Sequence, residues 1–169
     1  MWMLLTMCRT KYSSVDCIIP EGSLEKVINL AKAIIDKEKP DMVVEPFACG
    51  GSFISSGLLP AYKDKIIFHL TDIRMDIQIR DAISAKVEYE SLVPWLLDKK
   101  CFIYCDPPHD NFDLARFYSL IGLLQHRNYV IIRSLKREPP PDYKEFGDGC
   151  YIQENSLLDN WIKENNYDC

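Results

Sequence analysis

Four short apolar runs set the terms for this chain: Asp41-Met-Val-Val-Glu45, Lys65-Ile-Ile-Phe-His-Leu-Thr71, Cys101-Phe-Ile-Tyr-Cys105 and Asn128-Tyr-Val-Ile-Ile-Arg133. Each is rich in β-branched and aromatic residues, and none alternates cleanly between apolar and polar. Such runs read as strands buried on both faces, the pattern of a parallel sheet covered by helices. The segments between them supply those helices. Gly22 to Lys39 repeats Leu24, Val27, Ile28, Ala31, Ile34 and Ile35 at helical spacing, with Ser23 as a cap and Pro40 as a stop. Ser52 to Leu59, Asp76 to Ala85, Ser91 to Asp98 and Asn111 to His126 also read as helical, and Lys86 to Glu90 as a brief strand. Arg137 to Gly149 holds Pro139, Pro140 and Pro141 and reads as a loop, with a last helix around Asn155 to Asn165. The expectation is a doubly wound α/β domain with a mostly parallel, Rossmann-like sheet. In such a sheet the ligand sits at the carboxyl ends of the strands, near the switch point of strand order.

Composition narrows the partners. A length of 169 residues fits one domain, with no room for a separate target-recognition domain. The net charge of −5 argues against tight, non-specific nucleic-acid binding by the chain alone, though not against a local basic patch. The seven cysteines are odd in number and scattered, with no Cys-x-x-Cys pair, so neither a disulfide framework nor a metal site is expected. Cys101 and Cys105 read as small buried hydrophobes. Met1 to Met7 is apolar but too short and poorly flanked for a signal peptide. No apolar run approaches the roughly 18 residues of a membrane span, so a cytoplasmic protein is expected.

Three places after strands carry chemistry. Glu45-Pro-Phe-Ala-Cys-Gly-Gly-Ser-Phe53 follows the first run, where Gly50 and Gly51 permit a sharp turn and close approach to a ligand. It lacks both the dinucleotide fingerprint and the Walker A lysine. Thr71-Asp72 follows the second run, and an acid there suits ribose hydroxyls. Asp106-Pro-Pro-His109 follows the third, where Pro107 and Pro108 stiffen the backbone and hold the Asp side chain at a fixed depth.

The first and third of these segments, in this order, resemble motifs I and IV of the DNA N6-adenine methyltransferases that use S-adenosylmethionine, the latter as Asp-Pro-Pro-His in place of Asp-Pro-Pro-Tyr. The resemblance covers roughly Pro40 to Ser134. It implies that Glu45, Pro46 and the backbone of Phe47, Ala48, Cys49, Gly50 and Gly51 hold the methionine part of the cofactor. Asp72 with Ile73 would take its ribose, Glu90 would lie near its adenine, and Asp106 would border it. Asp106 and the carbonyl of Pro107 would hold the target amino group, with Pro108 fixing the turn and His109 stacking on the base. The sulfonium is already activated, so positioning supplies most of the catalysis.

Two departures matter. His109 replaces the usual larger aromatic; imidazole stacks on bases, but its charge changes near an ordinary pKa of about 6.5. No segment is large enough to read a DNA sequence, so flipping a base from a duplex calls for help from a homodimer or a recognition subunit, or for an RNA or single-stranded substrate. Arg127, Arg133, Lys136, Arg137 and Lys144 outnumber Glu138, Asp142 and Glu145 around the Pro-rich loop, interleaved with Tyr143 and Phe146. Arg133, Lys136 and Arg137 are therefore candidate nucleic-acid contacts. Two other readings stay open: an RNA amino-methyltransferase, and a non-catalytic subunit of the same fold that supports an active partner.

Overall fold

The computed structural model describes residues 24–48, 51, 53–72, 79–108, 111–134 and 138–167. Helix α1 (Glu25–Glu38) comes first. Its stripe Val27, Leu30, Ala31, Ile34 and Ile35 is buried, as its periodicity predicts. Lys39, in the left-handed conformation, ends it just before Pro40. Leu24 takes the N-cap position without a side-chain bond, and Ser23 lies outside the described residues.

Strand β1 (Met42–Glu45) follows, then a π-helical segment (Ile54–Leu58) running into the short α2 (Leu59–Tyr62). Next are β2 (Ile67–Thr71), β3 (Ile83–Ala85), α3 (Tyr89–Leu96), β4 (Cys101–Cys105), α4 (Leu114–Gly122) and β5 (Tyr129–Arg133). The hairpin β6 (Tyr143–Gly147) and β7 (Cys150–Gln153) and helix α5 (Leu157–Glu164) complete the order. Asp113 caps α4 by accepting from the Arg116 N–H at 3.0 Å, and Ser156 caps α5 by accepting from the Asp159 N–H at 3.1 Å.

The seven strands form one sheet in the order β3-β2-β1-β4-β5-β7-β6. The first five are parallel and the β6–β7 hairpin is antiparallel. The order grows one way from β1 and the other way from β4, so the switch point lies between them. Side chains alternate between faces. Val43, Phe102, Tyr104, Tyr129 and Ile131 pack with α1, the π segment and α5. Val44, Cys101, Ile103, Cys105, Val130 and Ile132 pack with α3 and α4. Helices therefore cover both faces, as the apolar strands require. No helix among the described residues is long and apolar enough to cross a membrane.

Two stretches differ from expectation. The third strand is Ile83–Ala85, at the end of a segment expected to be helical, and residues 86–88 are a loop leading into α3, not a strand. Asp81 takes a left-handed conformation (φ 67°) in the preceding turn, and pairing with His69, Leu70 and Thr71 holds Ile83, Ser84 and Ala85 extended. Sheet pairing here overrides local helical preference. The segment 137–149 is not loop throughout, because Tyr143–Gly147 forms β6. Asp148 (φ 55°) and Gly149 (φ 71°) turn the chain so that Cys150–Gln153 returns as β7.

Candidate functional site at the strand tips

Parallel strands bring their carboxyl ends to one edge of the sheet. Across β2, β1, β4 and β5, in that spatial order, stand Asp72, Glu45, Asp106 and Arg133. Sequence reading proposed all four, and the topology makes them neighbours. Glu45 closes β1 and is buried; its Oε2 accepts from the Ile54 N–H at 3.3 Å. Asp72 is buried directly after β2, with its N–H on the Ala85 carbonyl at 3.4 Å. The chain leaving β1 is tied to the tip of β2. Ala48 N–H donates to the Thr71 carbonyl at 3.0 Å, and Thr71 Oγ1 donates to the Pro46 carbonyl at 3.4 Å. Gly51 then turns with φ 65° and donates its N–H to the Ala48 carbonyl. A left-handed turn of this kind favours glycine.

The register between β4 and β5 pairs Cys105 with Ile132, so Asp106 and Arg133 emerge side by side. Arg133 Nη1 lies 3.2 Å from Asp106 Oδ2, with the arginine side chain 8% exposed and the aspartate 20%. Arg133 also pairs with Cys150, so β7 walls it in. Its Nε and the Tyr104 hydroxyl are buried without a hydrogen-bond partner among the described residues. Pro107 is buried and Pro108 half-buried, which fixes the path away from Asp106.

Burial pushes the Glu45 carboxyl up to about 8; the nearby Asp106 charge adds to the shift, and the Ile54 and Phe53 N–H groups oppose it. Burial likewise raises the Tyr104 hydroxyl and the thiols of Cys101, Cys105 and Cys150. All three cysteines are free and buried.

An aromatic nest stands on the α3–α4 side of these tips. The Phe47 ring lies 5.2 Å from Tyr89, 5.6 Å from Phe112 and 5.6 Å from Phe117. Edge and tilted contacts at these spacings are favourable. Tyr89 and Phe112 were not singled out from sequence. Phe112 follows the Asp-Pro-Pro segment closely enough to have been found, whereas Tyr89 was hidden by the misplaced third strand.

Glu90 sits in the first turn of α3, not on a strand tip. Arg116 of α4 holds it, Nε to Oε1 at 2.9 Å and Nη2 to Oε2 at 3.0 Å. Arg127 is exposed, and Lys144 pairs with the buried Asp159 at 2.5 Å, tying β6 to α5. Cys49, Gly50, Ile73, His109, Lys136 and Arg137 lie outside the described residues. Among the described residues no group of His, Cys, Asp and Glu side chains is placed to hold a metal ion. Neither protein-family models nor curated proteins match the chain.

Proposed function

We propose that this protein is an S-adenosylmethionine-dependent methyltransferase acting on an exocyclic amino group in nucleic acid, most readily adenine N6 in DNA. The observation that carries the reading is the row of acids at the strand tips. Three acidic side chains, Asp72, Glu45 and Asp106, stand at the ends of three adjacent strands at the switch point. A ligand with a sulfonium and an ammonium group suits those acids, and its ribose hydroxyls suit a carboxylate acceptor. The aromatic nest around Phe47 offers flat apolar surface for a purine.

On this reading, the buried Glu45 and the Phe47–Gly51 turn hold the methionine part of the cofactor, and Asp72 accepts from the ribose. The cofactor supplies a methyl group already activated on sulfur. The chain then has to orient the nucleophile. Asp106 accepts from an N–H of the target amino group, and the Pro107 carbonyl accepts from the other. Both bonds hold the nitrogen lone pair towards the incoming carbon. A carboxylate acceptor selects an amino group over a ring carbonyl, which has no proton to give. The rigid Pro107-Pro108 backbone keeps that geometry without ordering cost at each turnover.

Transfer of isotopic label from S-adenosylmethionine to double-stranded DNA, single-stranded DNA and RNA, followed by nucleoside analysis by mass, tests the reading. Label in N6-methyladenine is expected, and Asp106→Ala should remove it while leaving cofactor binding in place. Label in guanine N2 of RNA would move the assignment to an RNA enzyme. Absence of both transfer and cofactor binding would reject it in favour of a non-catalytic subunit.

A further inference from the structure

Arg133 stands apart from the other basic residues of its region. Its side chain is 8% exposed, between β4 and β7, and its guanidinium meets Asp106 at 3.2 Å. A buried cation is costly unless paired, so this partner is not incidental. Walled in by β7, it is poorly placed to meet a phosphate backbone. We propose that Arg133 is a positioning residue: it fixes the rotamer of Asp106 so that its carboxylate is turned to accept from the target amino group. This rests on the methyltransferase reading above, and it assigns Arg133 a task inside the site, not on a nucleic-acid surface.

The surroundings show what such a device works against. Glu45 from β1 and the Cys150 thiol from β7 stand within electrostatic reach of Asp106, as do Tyr104 and Cys105 from β4. Each of these is neutral or negative, and Arg133 is the cation that meets Asp106 at 3.2 Å. A guanidinium at that distance holds the carboxylate in one orientation beside the second acid, and so fixes where its acceptor oxygens point. The register sets the pair: Cys105 opposite Ile132 places the next residue of each strand on the face that holds Tyr104 and Ile131.

Methyl-transfer kinetics of the full chain with Arg133→Met and Arg133→Lys test this, with Asp106→Asn alone and combined with Arg133→Met. Arg133→Met should lower kcat about 100-fold, the scale of a misplaced catalytic group, with the KM for S-adenosylmethionine unchanged. Arg133→Lys restores the charge but not the fork and should recover about tenfold of that loss. Arg133→Met should add nothing to Asp106→Asn, because the two act as a unit. If Arg133→Met does not fold, Arg133→Lys alone decides, by a lower kcat at unchanged cofactor KM. Wild-type kcat in either folded variant, or a loss confined to the cofactor KM, overturns the proposal while leaving the enzyme reading intact. A wild-type protein that neither transfers a methyl group nor binds S-adenosylmethionine rejects both.

Discussion

At the residue scale, the most informative group is Glu45. Its carboxyl is buried at the end of β1 and stands at about 8, against an ordinary 4.5. A raised acid contributes stability that is fully present below the ordinary value and lost as pH rises through the folded one. The window therefore runs from about 4.5 to about 8, with a slope of at most about 1.4 kcal/mol per pH unit. Glu45→Gln should flatten that slope, as denaturant melts at pH 5, 6.5 and 8 would reveal; an unchanged slope would show that Glu45 is already ionised in the folded protein. The same proton bears on ligand binding. On the methyltransferase reading, a cationic group of the cofactor placed against Glu45 favours the carboxylate, so binding at pH 7 should release a proton. Calorimetry in buffers of different ionisation enthalpy would detect that release, and Glu45→Gln should abolish it. The site residues legible from sequence were those tied to a strand end, because parallel topology gathers strand ends whatever the intervening distance. Glu90 was not legible in this way: its fate depended on α3 and on Arg116, 26 positions away.

The turn after β1 shows how an element constrains the site. A Cβ built on Gly51 would meet Ile79 Cδ1 at 2.3 Å and Leu70 Cδ2 at 2.6 Å, on a backbone with φ 65°. Gly51→Ala must move both side chains and strain the backbone, and a destabilisation of about 1–3 kcal/mol is expected. Because Ala48 and Pro46 tie this turn to Thr71 of β2 and Gly51 bonds back to Ala48, the affinity for the proposed cofactor should fall with it; wild-type melting and affinity in Gly51→Ala would refute the packing argument. Glycine at this place was readable from sequence, since the need for a sharp turn follows directly from strand and helix on either side. Other elements were not. Ile83–Ala85 has three residues and no strong alternation, and its identity comes from pairing with β2. Tyr143–Gly147 follows a proline run and mixes charge with aromatics, so only the hairpin partner Cys150–Gln153 makes it a strand. Long periodic segments such as α1 were legible because their buried stripe is written in every turn.

For the whole molecule, the sheet separates two cores. One lies under α1, the π segment and α5; the other lies under α3 and α4. Ile34 belongs to the first and Ile121 to the second, and both are essentially buried. The strands between them are joined by backbone hydrogen bonds, and the two side chains belong to different clusters. Ile34→Val and Ile121→Val should each cost about 0.5–1.5 kcal/mol, the range for removing one buried methylene. Their double variant should equal the sum within about 0.5 kcal/mol, as for independent sites. A pair within one core should behave otherwise. Phe53 and Phe102 stack at 6.0 Å, so Phe53→Leu and Phe102→Leu share a cavity and should depart from additivity by more than about 0.5 kcal/mol. Urea melts of the six proteins and the parent measure both quantities. Additivity across the sheet would mean that the strand tips hold their spacing when either core is altered, which a site built from four separate strands requires. Coupling across it would mean that repacking of α1 or α4 reaches Glu45 and Asp106 through the strands themselves, and the site would then be tunable from either face.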